Sequence, residues 1–190
     1  KDKAVNFGIW EGKRNDHGIK SKKILKQGAW HHLAAVFGRS GMAFYIDGVL
    51  VGTQGFEGGL DIGAGGNNYL GESNWPKDKM FQGQMAELRV WNRRLSPGEI
   101  AKLKDRTLRG NEEGLVGYWR LGDVKEGQVP SAIAGGFPAR AVGKVGLRTI
   151  PAIRPFLVSG QLEMAAEKVY NEAASAFSEG AFEQATSGFE

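Results

Sequence analysis

The chain has 190 residues, 41% hydrophobic and 24% charged, with no cysteine. That is enough for one main core and part of another, and it excludes a wholly disordered or collagen-like chain. It also excludes a disulfide framework, a thiolate nucleophile and a cysteine-bound metal centre.

The net charge of +4 is small and unevenly spread. Residues 1 to 30 carry eight Lys/Arg against three Asp/Glu, residues 31 to 150 carry fifteen against twelve, and residues 151 to 190 carry two against six. The basic residues are dispersed and come with no recognition-helix, RNP or zinc-finger pattern, so nucleic-acid binding is not expected. The longest apolar stretches, such as Leu33 to Phe37 and Leu115 to Trp119, fall far below the roughly 18 residues of a membrane-spanning helix, and no span is expected. No apolar h-region follows Lys1-Asp2-Lys3, so no signal peptide is expected, although a mature or excised fragment would look the same.

Glycine is abundant, 29 residues, mostly spaced between short apolar runs. That is the pattern of short strands joined by tight turns. From Trp30 to Thr53 the order is HHLAAVF, the turn Gly38 to Gly41, MAFYI, Asp47-Gly48 and VLVG. Asp-Gly between apolar runs marks a type I′ hairpin, so this stretch predicts two consecutive hairpins. A strand is expected at Asn68 to Gly71. Another is expected from Phe81 to Trp91, with Ala86, Leu88 and Val90 on an apolar face and Met85, Glu87, Arg89 and Trp91 on a mixed one. Ser96, Pro97 and Glu99 form a capping box for a short helix to about Leu103. GLVGYWRL, Gly114 to Leu121, returns as a strand. Residues 122 to 158 are rich in Gly, Ala and Pro and read as linker or completing strands. From about 159 the spacing of Leu162, Ala166, Val169, Ala173 and Phe177 becomes helical, and Gly180 separates a second helix containing Phe182, Ala185 and Phe189.

The pieces WHHLAAVF (Trp30 to Phe37), FYIDGVLVG (Phe44 to Gly52), YLGES (Tyr69 to Ser73), FQGQMAELRVWNRRLSPGEI (Phe81 to Ile100) and GLVGYWRL stand in one order. In that order the chain resembles the laminin-G-like, concanavalin-A-like jelly-roll superfamily over about 4 to 121. The resemblance implies an antiparallel two-sheet β-sandwich whose loops bind ligand. Two departures stand out. Such domains usually carry an acidic pair in the strand after the F-x-G element, whereas here Ala86 precedes Glu87. The opening strands are also not apparent before Lys1, so another part of a longer chain or residues near 122 to 155 would supply them. Residues 166 to 190 resemble a tetratricopeptide repeat through Ala173, Gly180, Phe182, Ala185 and Phe189, with Val169 and Glu172 as departures. About three such repeats are needed for a continuous core, which implies an excerpt of a longer protein.

The same sandwich hosts glycoside hydrolases, whose retaining chemistry needs two carboxyl groups about 5 to 5.5 Å apart. No two Asp/Glu here are two apart, the spacing that places such a pair on one strand face. His31 and His32 are neighbours facing opposite ways and read as hydrogen-bonded sandwich residues, and His17 reads as part of a polar turn. GAGGNN, Gly63 to Asn68, reads as a turn, and Asp47 as structural. Trp10, Trp30, Trp91 and Trp119 read as core. Calcium is the ion that suits the loop oxygens. Its candidate ligands are Asp61, Asn67, Asn68 and Asp78, with Asn74 beside them, and turn chemistry of Asn and Asp is the competing reading. For carbohydrate, the loop Glu72 to Lys79 offers Trp75 as a sugar-stacking face with Asn74, Lys77 and Asp78 beside it and Pro76 as stiffener. Alternatively, Trp75 tucks into the sandwich edge.

The reading is a mainly β chain. Residues 1 to 121 form a laminin-G-like jelly roll, 122 to 158 a linker or completing strands, and 159 to 190 a C-terminal α-helical hairpin that starts a tetratricopeptide-like repeat. The expected function is that of a non-catalytic recognition module of a larger multidomain protein, binding carbohydrate or protein, with calcium as a candidate aid. An architectural role, packing on helical repeats or other subunits, is the alternative, and a glycoside hydrolase the third. The family analogy points to an extracellular or cell-envelope setting, and an intracellular sensor fits the same folds.

Overall fold

Positive φ angles at Asp47 (55°) and Gly48 (81°) give the two-residue turn the type I′ geometry the sequence predicts. They join β4, Met42–Ile46, to β5, Val49–Gln54. On its other side β4 pairs antiparallel with β3, Leu33–Val36, through the turn closed by Gly41 N–H on the Gly38 carbonyl at 3.0 Å. Gly41 needs its missing side chain, because φ is 84° and a Cβ would lie 2.8 Å from the Gln54 carbonyl oxygen. The computed structural model describes residues 4–11, 15–22, 25–56, 68–73, 75, 77–122, 124–142 and 145–146. The expected helical hairpin over 159–190, and with it the tetratricopeptide-like segment, lies outside the described residues.

The described residues divide into two compact units. In the first, every residue of β4 is buried. Met42, Phe44 and Ile46 face one way, packing with Ile19 and the partly buried Val5, Phe7, Ile9, Leu25 and Val51. Ala43 and Tyr45 face the other way, onto Ile100, Ala34, Val36 and Leu95. A strand covered on both sides has no polar face to keep, which is why MAFYI is a continuous apolar run. One cover is the antiparallel hairpin of β1, Asn6–Glu11, and β2, Asn15–Lys20. It turns Phe7 and Ile9 inward, with the Phe7 ring 6.0 Å from Phe44 and 6.5 Å from Phe37. The other cover is helix α1, Pro97–Leu103, which buries Ile100. The Ser96 hydroxyl accepts the Glu99 N–H at 3.2 Å, and the Glu99 carboxylate accepts the Ser96 N–H at 2.8 Å, so the expected capping box is present.

The second unit is built on β6, Leu88–Trp91, antiparallel to β7, Leu115–Trp119, with a register shift between Val90 and Trp91. Two short strands, β8 (Gln128–Val129) and β9 (Ala139–Arg140), form a separate pair. Three expectations are corrected here. Residues 68 to 71 are not a strand, although Phe81 N–H donates to the Gly71 carbonyl at 2.8 Å. Only the last four residues of the expected Phe81 to Trp91 strand pair, since Glu87 takes a φ of 58° that breaks the run. The burial of the two faces also departs from the expectation at one rung. Val90, on the apolar face, is 45% exposed while Ala86 and Leu88 stay half-buried, and Arg89, opposite the buried Tyr118, is largely covered because it pairs with Glu87. The described residues are thus mainly β, in several antiparallel sheets with little helix. Among the described residues no helix is long and apolar enough to cross a membrane.

Candidate functional site

The loop from Glu72 to Lys79 is held by its own short polar side chains. The Ser73 hydroxyl accepts the Trp75 N–H at 3.1 Å and donates to Asp78 Oδ2 at 2.7 Å. The Asp78 N–H donates to the Trp75 carbonyl at 3.0 Å, closing a turn over the stretch between them. A serine two residues before a backbone N–H is the spacing at which a hydroxyl stands in for a carbonyl and shapes a turn. The turn leaves Trp75 59% exposed, so it does not tuck into a sandwich edge. Lys77 and Asp78 are exposed beside it. Tyr69, Leu70, Met80 and Phe81, on the two arms leading into the loop, are each about half exposed or more.

Of the expected ligand-binding residues, the structure thus brings Trp75 and Asp78 together through Ser73. It places Lys77 in the same turn, while Asn74 lies outside the described residues. Of the expected calcium ligands, Asn68 and Asp78 are described and exposed, and Asp61 and Asn67 lie outside. Among the described residues no three His, Asp or Glu side chains gather as a metal cluster. The residue missed from sequence is Ser73. Its signal was the Ser-x-Trp spacing with an acid five residues on.

Glu87, which stands alone where the superfamily's acidic pair is expected, sits in a different arrangement. Its Oε2 accepts the Tyr118 hydroxyl at 2.7 Å and an Arg89 guanidinium N–H at 2.8 Å. The Leu108 N–H donates to the Tyr118 oxygen at 3.2 Å, and an Arg120 N–H donates to the Leu108 carbonyl at 3.3 Å. The Arg89 and Arg120 guanidinium carbons each lie 5.7 Å from the Tyr118 ring centre. Burial, and next the hydrogen bond to Glu87, push the Tyr118 hydroxyl above its ordinary pKa. A retaining glycosidase would place a second carboxyl beside such an acid. Here it holds a cation and a phenol, a clamp between β6 and β7.

The histidines are used structurally. Asp47 accepts the His32 N–H and the His31 ring Nδ1, both at 2.9 Å, and the Lys26 N–H donates to His31 Nε2 at 3.0 Å. The Nε2 acceptor role fixes the proton on Nδ1, so Asp47 ties the chain entering β3 to the Asp-Gly turn. His17 lies in β2 rather than a polar turn, stacked on Phe56 at 4.2 Å, with its Nδ1 accepting from the Gln54 amide at 3.1 Å. Trp30 precedes β3 and is 49% exposed, so it is not the core residue expected. The side chain of Trp10 lies outside the described residues. Arg120, Leu121, Val129, Pro130, Ser131 and Ala132 line a shallow cleft of about 170 Å³, smaller than an ordinary small-molecule site.

Antiparallel sheets on an apolar core, with an aromatic presented on a braced loop, describe a β-rich domain. A laminin-G-type profile described as the Concanavalin A-like lectin/glucanases superfamily matches residues 1–101, more than half the chain. The chain belongs to this superfamily. Human Pentraxin-4 is 31% identical over 90 residues, 43% of this chain and 19% of that protein. The chain therefore spans about a fifth of that relative's length. Among solved structures, an S-layer domain-containing protein of Clostridium thermocellum is 23% identical, with a TM-score of 0.40 over 53% of this chain and 51% of that one. A Bacteroides ovatus protein assigned as carbohydrate binding without proof is 18% identical, with a TM-score of 0.49 over 78% of this chain and 44% of that one.

Proposed function

We propose that the chain is a non-catalytic recognition module of a larger protein, a jelly-roll sandwich that binds carbohydrate through the loop from Glu72 to Lys79. The observation that carries this reading is Trp75, 59% exposed on a turn that Ser73 and Asp78 hold in place. An indole face covers the apolar side of a pyranose, and a turn already braced loses little entropy on binding. Lys77, Asp78 and Asn74 would supply polar partners for the hydroxyls. Membership of a lectin and glucanase superfamily makes sugar the first ligand class to test, and Glu87, engaged with Arg89 and Tyr118, supports the lectin side of that pair. Calcium would assist through Asp61, Asn67, Asn68 and Asp78.

The test is a glycan array on the whole chain, in calcium and in chelator, with Trp75→Ala beside the wild type. Binding is expected to fall roughly tenfold or more in the variant, the loss of one stacked aromatic face, with an unchanged circular-dichroism spectrum. Hits that survive Trp75→Ala place the site elsewhere, and hits that survive the chelator remove calcium from the reading.

A second reading is favoured by the exposed Tyr69, Leu70, Met80 and Phe81 around the same loop. Exposed apolar side chains of that kind suit a protein partner, and the chain would then serve assembly, with a helical repeat at 159 to 190 as a further partner surface. Solution mass that rises with protein concentration favours assembly, and a monomer that responds to sugar favours the lectin.

A further inference from the structure

The hairpin of β1 and β2 has a second face, turned away from the core of its own unit. Ile19 and Ser21 are buried, 6% and 3% exposed, so the residues alternating with them, Gly18, Lys20 and Lys22, line up on the outside. The alternation holds past the end of β2 because the Ser21 N–H donates to the Val5 carbonyl at 2.8 Å. Across the ladder, Asn6 stands opposite Lys20 and Gly8 opposite Gly18, and all four are exposed. Two facing glycines leave a patch of bare backbone between strands, with Asn6, Lys20 and Lys22 towards one end and the Trp10–Asp16 rung of the ladder at the other. Neither glycine has the positive φ that would require it for backbone reasons. No Asp or Glu occurs between Asp16 and Asp47, a stretch holding Lys20, Lys22, Lys23, Lys26 and Arg39. Among the described residues no ion pair engages Lys20 or Lys22.

We propose that this outer face binds a polyanionic glycan, a sugar chain bearing carboxylate or sulfate groups, at a site separate from the Trp75 loop. Lys20 and Lys22, about 7 Å apart at the backbone as alternate strand residues, pair with anionic substituents through flexible four-carbon stems. The Asn6 amide both donates to and accepts from hydroxyls. The bare floor at Gly8 and Gly18 admits a pyranose ring close to the strands, where any side chain would stand in its way. The chain's superfamily is one of lectins, and its sequence carries no nucleic-acid-recognition motif, so a glycan is favoured over a polynucleotide as the anionic chain.

The experiment titrates the whole chain with polygalacturonate, dextran sulfate, neutral dextran and an oligothymidylate at several salt concentrations. At least one anionic glycan binds, with an affinity that falls as salt rises, and neutral dextran does not. The exposed double variant Lys20→Gln/Lys22→Gln loses roughly tenfold or more of that affinity, the scale expected for two lost charge contacts. Gly18→Thr loses affinity as well while its thermal midpoint holds or rises, since threonine suits a strand better than glycine. Trp75→Ala binds the anionic chains like the wild type, which separates this site from the loop's. The proposal is overturned if neither anionic glycan binds, if the oligothymidylate binds more tightly than both, if the lysine double variant keeps its affinity, or if Trp75→Ala loses it.

Discussion

The two units hold their strands together by different physics. In the first, β4 is clamped between apolar layers, Met42, Phe44 and Ile46 on one side and Ala43 and Tyr45 on the other. In the second, β6 and β7 share a part-buried polar cluster, Glu87 and Arg89 around the buried Tyr118, whose members bond one another at 2.7 and 2.8 Å. Apolar burial is non-directional and tolerates small shifts, so a loss there scales with the volume removed. A buried polar cluster is directional, and removing one member strands the others.

The largest effect is therefore expected in the first unit. Phe44→Ala removes a ring that is 3% exposed and should cost about 3–5 kcal/mol in urea unfolding. Tyr118→Phe deletes one oxygen, yet it leaves the Glu87 carboxylate and the Leu108 N–H each short of a partner, and should cost about 1–3 kcal/mol. A cost below about 0.5 kcal/mol, the scale of a neutral surface change, would dissolve the contrast and make the second unit another apolar core. The same variant has an alkaline signature. Burial raises the hydroxyl of Tyr118, and also that of Tyr45 in the first unit, where Arg94 opposes the rise. The folded state thus keeps these protons after the unfolded chain has released them near pH 10. Their contribution is intact below that pH and is lost as pH rises through the folded values. Tyr118→Phe should flatten the alkaline fall in part, and adding Tyr45→Phe should flatten it further.

The contrast also explains what could be read in advance. The turns at Asp47-Gly48 and Gly38 to Gly41 and the box from Ser96 to Glu99 rest on neighbours in sequence, so spacing alone exposes them. The apolar run MAFYI announces a buried strand for the same reason. The burial of Arg89 escapes that logic, because its partners lie at Glu87 and, 29 positions on, at Tyr118. An arginine in an alternating strand reads as outward until its long-range partner is known. The break at Glu87 shortened β6 for a kindred reason, since alternation continues through it in sequence while its φ of 58° does not. Trp30 and His17 show the same limit. A tryptophan beside a strand reads as core and a histidine among polar residues as turn, yet the first is half exposed and the second stacks on Phe56, 39 positions away. Of the proposed loop, Trp75 and its polar neighbours were legible from composition. The brace was not, because a serine carries no chemistry until its hydroxyl is seen between the Trp75 N–H and Asp78.

The smallest expected effect sharpens the comparison from the acid side. Glu112 precedes β7 and accepts the Arg109 N–H at 2.7 Å and the Gly110 N–H at 2.9 Å. Burial pushes its carboxyl up, but the backbone N–H groups of Arg109, Glu112, Gly110 and Asn111 together outweigh it and hold the pKa below the ordinary value. A depressed carboxylate contributes stability that is present above the unfolded value, near pH 4.3, and is lost as pH falls through the folded one. Amide-exchange protection corrected for intrinsic rates reads this strand by strand. Between about pH 5 and pH 3, around that titration, protection at Leu115 in β7 should fall in the wild type and fall less in Glu112→Gln, whose amide stays neutral throughout. Protection at Phe44 in β4 should respond to the substitution far less, since apolar contacts enclose that strand. An equal response at the two positions would mean that acid acts on the fold as a whole, and that Glu112 confers no sensitivity of its own on the second unit.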